Sequence, residues 1–104
     1  MTGPLVGVRV VDMTSILMGP YAAQLLGDMG ADVIVIDRPG GSLVPKAIDA
    51  RGKRSMVLDL KKPEAVAALL KIVETADVLI EGLRPGVTER MGVGPDSCHA
   101  INPR

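Results

Sequence analysis

The chain has 104 residues, 47% of them apolar, and its 12 basic and 12 acidic side chains cancel. That composition excludes the disordered class and leaves no overall charge with which to hold nucleic acid or an anionic membrane. Tyr21 is the only aromatic residue and Cys98 the only cysteine, so the core must be aliphatic and an internal disulfide is excluded. A single cysteine suits a reducing compartment such as the cytoplasm. No stretch approaches the roughly 20 apolar residues of a membrane span, and no basic region leads into a long apolar run at the N-terminus, so the chain reads as soluble.

The first predicted element is a strand over residues 8–12 in "VRVVDM", dense in β-branched side chains. A helix is expected next: Pro20 suits its first turn, Ala22, Leu25, Leu26 and Met29 form an apolar stripe, and Gly30 suits its C-terminal cap. "DVIVID", residues 32–37, reads as a second, buried strand. Residues 38–54 mix glycine, proline and basic residues and read as a loop with room for one short helical turn. "SMVLDL", residues 55–60, is the third predicted strand, followed by a helix from about Pro63 to Thr75 with Val66, Leu69, Leu70 and Val73 on one face. "DVLIEG", residues 77–82, is the fourth strand; a short helix near Pro85 to Met91 and a last turn from Pro95 complete the chain. Strands alternating with helices predict right-handed crossovers and a mostly parallel α/β sheet covered on both faces.

In such a sheet, ligands bind at the loops leaving the C-terminal strand ends. Arg38, the Lys61–Lys62 pair and Arg84 all fall there. The lysines precede a helix start, where positive charge opposes the macrodipole and an acid or hydroxyl would be the ordinary choice. Their placement suits an anionic ligand, with solvated lysines as the plain alternative. The loop cluster Arg51, Lys53 and Arg54 either reaches a phosphate or solvates a loop. Asp37 stands where a dinucleotide site keeps its ribose-binding acid, and Arg38 would then meet the 2′-phosphate of NADP. The first loop, "MTSILMGP", has Gly19 alone where G-x-G-x-x-G is needed, so Asp37 is read as structural or as a loop hydrogen-bond acceptor. Adjacent Cys98 and His99 do not face one another on a helix and supply no zinc site, and both are read as structural or surface residues. Asp12, Asp28, Asp32, Asp59 and Glu81 offer no evident acid/base couple. The residues alone point to a phosphate-friendly edge without a catalytic centre or metal site.

The runs "GVRVVDMTSILMGPYAAQLLGDMGADVIVIDRPGG", "RGKRSMVLDLKKPEA" and "ADVLIEGLRPGVTERMGVGP", with the closing "NPR", resemble in unbroken order the N-terminal part of family III CoA-transferases and α-methylacyl-CoA racemases. The resemblance implies a Rossmann-like half that binds CoA thioesters and, in longer relatives, an interlocked homodimer. It implies that Arg38, Leu58, Asp59, Leu60 and Lys61 contact the CoA nucleotide, and that Gly82, Leu83 and Arg84 line its adenine and phosphate end. Coenzyme A would then be part of an acyl-CoA substrate and not a permanently held cofactor. Racemases of the family move the α-proton through an enolate with a His and an acidic partner, whereas its transferases use an aspartate nucleophile. "IDRP", "EGLRPGV" and "GPDSC" resemble the racemases more. The family's catalytic His and Asp lie beyond the matched region and His99 does not match that histidine. The expectation is therefore an incomplete half-domain, residues 1–104, truncated before its catalytic region and inactive alone. A CoA-transferase is the alternative; a non-catalytic remnant that pairs with a longer homologue through its sheet edge and an NADP-binding fragment are further ones.

Overall fold

The structure is a computed structural model and describes residues 3–14, 18–37 and 53–104. Arg38 and Arg51 lie outside the described residues. In chain order the elements are β1 (Arg9–Met13), α1 (Met18–Asp28), β2 (Asp32–Asp37), β3 (Lys53–Val57), α2 (Pro63–Val73), β4 (Val78–Glu81), α3 (Val87–Met91) and α4 (Pro95–Ile101). The four strands form one parallel sheet in the order β3-β2-β1-β4. Its register aligns Val10 with Val33 and Val78, and Val33 with Lys53.

Strand alternation sends neighbouring side chains to opposite faces, and each face has its own aliphatic layer. On one side Val10, Val33 and Val35 pack with Ala23 of α1, with Leu26 and Ile80 at the margin. On the other, Val11, Met13 and Ile36 pack with Leu69, Ala76 and Val93, and Val66, Leu70 and Leu79 support them. The face predicted for α2 is therefore the one that packs. The α1 stripe is a correction. The helix buries Ala23 and brings Gly27 down beside Val33, while Ala22, Leu25 and Met29 are exposed. Within residues 18–27 the helix carries no charge to mark a solvent side, so periodicity alone did not distinguish its faces. The small residues decide the matter, because they let the helix approach the sheet closely.

The third strand is also shifted, starting at Lys53 and ending at Val57 instead of spanning residues 55–60. Leu58 and Leu60 pack on the core from the connection that follows, so their apolar character reflects burial without strand pairing. Val57, inside the strand, is 62% exposed on the outermost strand. α3 begins after Gly86, whose φ of 87° breaks the helix predicted from Pro85.

The N-terminal edge of the sheet is held by exposed ion pairs. Arg54 donates to both carboxylate oxygens of Asp32, at 3.1 and 2.6 Å, and Arg9 Nε donates to Asp32 at 3.1 Å. Arg54 is thus tied to Asp32 at the edge opposite the C-terminal strand ends. Burial works against the Asp32 charge, but hydrogen bonds from Arg54 and Arg9 outweigh it and hold the carboxyl below the usual carboxylate range. Near the C-terminus the Asn102 amide donates to the carbonyls of Val73 at 2.9 Å and Ala76 at 2.8 Å, clipping α4 to the end of α2. Among the described residues no helix is long and apolar enough to cross a membrane.

Candidate functional site

The strand order decides how the basic residues are distributed. β3 and β4 flank the sheet, so the connections carrying Lys61 and Arg84 leave from opposite margins. Three strand spacings separate those margins, about 14 Å. Both connections belong to the C-terminal edge. Between them lie the ends of β2 and β1.

At the β3 margin, Leu58 N–H donates to Asp37 O at 2.9 Å, fastening the connection to the end of β2. Asp59 then turns the chain: its carboxylate accepts the Lys61 N–H at 3.2 Å and its carbonyl accepts the Lys62 N–H at 2.9 Å. Lys62 becomes the N-cap of α2 in extended conformation, with Pro63 in the first turn and no side chain capping the helix. Lys61 and Lys62 are exposed and pair with no carboxylate among the described residues. Two cations and an uncapped helix start are thus presented together, which favours an anion.

At the other margin Glu81 accepts the Leu83 N–H at 3.1 Å and sets the direction of the Gly82–Arg84 connection. A Cβ on Gly82 would lie 3.9 Å from the Thr14 methyl, so this connection runs beside the end of β1. Leu83 and Arg84 are exposed.

The residues at the middle of the edge were missed by sequence reasoning. Asp12 is 1% exposed and accepts hydrogen bonds from the Thr14 N–H, at 2.9 Å, and from the Thr14 hydroxyl. Its second oxygen faces Lys53 Nζ at 3.3 Å, and the same ammonium donates to Pro20 O in α1 at 2.8 Å. The Lys53 side chain is only 4% exposed, so it neither solvates a loop nor meets a phosphate. A buried pair survives only when its polar atoms find partners, and this one does. One signal was available: Asp12 is the single charge in an apolar strand between Val10 and Met13. Gly19 completes the corner, since a Cβ there would overlap the Thr14 side chain.

Cys98 and His99 lie in α4, away from this edge. The Cys98 thiol donates to Val93 O at 3.4 Å, and burial pushes its pKa up, opposite to an activated nucleophile. No group of three His, Cys, Asp or Glu side chains that could hold a metal occurs among the described residues.

A four-stranded parallel sheet with helices packed on both faces defines a Rossmann-like α/β fold. The profile of CoA-transferase family III matches residues 5–104, and the chain belongs to that family. It is 42% identical over 100 residues to human α-methylacyl-CoA racemase, covering 96% of this chain and 26% of the racemase. Against succinyl-CoA:mesaconate CoA-transferase of Haloarcula hispanica the identity is 40% over 118 residues, covering 97% of this chain and 30% of that enzyme. The crystal structure of Rv3272 from Mycobacterium tuberculosis superposes with a TM-score of 0.93 at 39% identity, over 98% of this chain and 32% of that one. The chain thus spans between about a quarter and a third of the length of these relatives.

Proposed function

We propose that this chain is the CoA-recognition segment of an α-methylacyl-CoA racemase-like member of the family. The observation that carries the reading is the pair of exposed lysines, without an ion-pair partner among the described residues, at the uncapped start of α2. CoA carries a diphosphate and a separate ribose phosphate, and an elongated anion with separated charges suits cations distributed over two margins. On this reading Lys61, with Arg38, meets phosphate; Leu58, Asp59 and Leu60 face the nucleotide; and Gly82, Leu83 and Arg84 receive the adenine end. The 42% identity to the human racemase supports α-proton removal and return through an enolate for the whole protein. The 40% identity to a succinyl-CoA-dependent transferase favours CoA exchange between carboxylic acids as the second reading. Either chemistry needs an acid/base or nucleophilic centre, and the described residues contribute the binding half. An acyl-CoA substrate and a homodimeric, soluble whole protein belong to the same reading.

Titration calorimetry with CoA, dephospho-CoA and NADP tests it. CoA should bind most tightly and dephospho-CoA more weakly, because a charge is missing. Absence of heat with CoA, or preference for NADP, overturns the assignment.

A further inference from the structure

Lys53 and Asp12 are 41 residues apart in sequence and form a buried ion pair. The sheet register shows how far apart the two backbone positions lie. Lys53 lies opposite Val33, in the row of Val10, whereas Asp12 lies opposite Val35. The lysine and aspartate side chains therefore meet across an offset of two residues along the sheet and two strands across it, on the face that α1 covers, with the ammonium between Asp12 Oδ2 and Pro20 O. Asp12 in turn holds Thr14 by two hydrogen bonds, and Thr14 packs against the Gly19 position of α1 and beside Gly82. One lysine thus links β3, the end of β1, the start of α1 and, through Thr14, the connection after β4.

The strand order gives this link a consequence for binding. β1 sits between the two basic margins, so an anion reaching from Lys61 to Arg84 passes over the end of β1. An unneutralised carboxylate beneath that path would repel it. We propose that Lys53 is a positioning residue for the anion site: its ammonium neutralises Asp12 beneath the ligand path and holds Thr14, through Asp12, and the start of α1, at Pro20 O, against the sheet. The inference rests on the CoA reading for its ligand. A buried ion pair is not required for stability, since pairs of this kind are often replaced by neutral groups without loss. Charge neutralisation makes a sharper demand: removing the cation alone is harmful, and removing both charges is not.

The experiment compares the wild type with Lys53→Met and with Lys53→Met/Asp12→Asn, using CoA affinity by calorimetry and Thr14 amide exchange by NMR. One uncompensated charge roughly 10 Å from a phosphate should weaken CoA binding by about five- to tenfold in Lys53→Met. Thr14 amide exchange should accelerate there while the Leu69 and Val73 amides keep their protection. In the double variant the side-chain amide that replaces the Asp12 carboxylate keeps an oxygen for the Thr14 N–H, and CoA affinity should return to within about twofold of wild type. Wild-type affinity in Lys53→Met, or a folded double variant as weak as the single one, overturns the proposal. If Lys53→Met does not fold, the double variant decides alone: near-wild-type affinity supports neutralisation and a large loss refutes it. If the wild type gives no heat with CoA, the CoA assignment is what fails. Thr14 exchange then tests the lysine independently, and an unchanged rate in the folded variant refutes its hold on Thr14.

Discussion

Replacing Lys61 by Ala separates a residue placed for a ligand from one placed for the fold. The substitution keeps the backbone N–H that Asp59 accepts at 3.2 Å, so the turn into α2 is retained. It removes an exposed side chain that makes no ion pair among the described residues, so little packing is lost. It also removes a positive charge next to the uncapped start of α2, where the macrodipole opposes it. Without ligand, stability should stay unchanged or rise by a few tenths of a kcal/mol. With CoA, a charge-assisted contact contributes of order 1.5–3 kcal/mol where ordered, and an exposed lysine sits at or below the low end. Affinity should therefore fall by about five- to tenfold, and its dependence on salt should flatten because a screened charge has gone. The assay is CoA titration at two salt concentrations together with the urea midpoint of the ligand-free protein. Unchanged affinity, or a loss of more than about 1 kcal/mol of apo stability, would refute the argument.

Leu69 is fully buried in the layer beneath α2, so Leu69→Ala should cost about 2–5 kcal/mol and lower the urea midpoint sharply. Gly19→Ala would drive a methyl into the Thr14 side chain, so α1 must lift from the strand end; a loss of about 1–3 kcal/mol is expected in thermal unfolding. The folded-state pKa of Asp32 is depressed by Arg54 and Arg9, so its contribution is present above the ordinary carboxylate range and lost as pH falls through the folded value. Its partners are solvated, so Asp32→Asn should cost no more than about 1 kcal/mol at neutral pH and flatten the acid limb of a stability–pH curve; an unchanged acid limb refutes the pairing.

The sequence alone determined the features that depend on neighbours in the chain. β-Branched density and continuous apolar runs marked β1, β2 and β4, and helical spacing marked the packed face of α2, because both signals are confined to a few residues. The Lys61–Lys62 oddity was equally legible, since an N-terminal charge rule is local. The tertiary structure decided the rest. Strand order separated Lys61 from Arg84, and no periodicity encodes which strands become neighbours. The buried face of α1 depended on the small Ala23 and Gly27 fitting against the sheet, a matter of shape that the uncharged helix sequence left open. The boundaries of β3 followed from pairing with β2, while the apolar Leu58 and Leu60 beyond it found burial without pairing. Lys53 reads in sequence as part of a basic loop, and only folding brought it to Asp12, because an ion pair across 41 residues leaves no spacing to read.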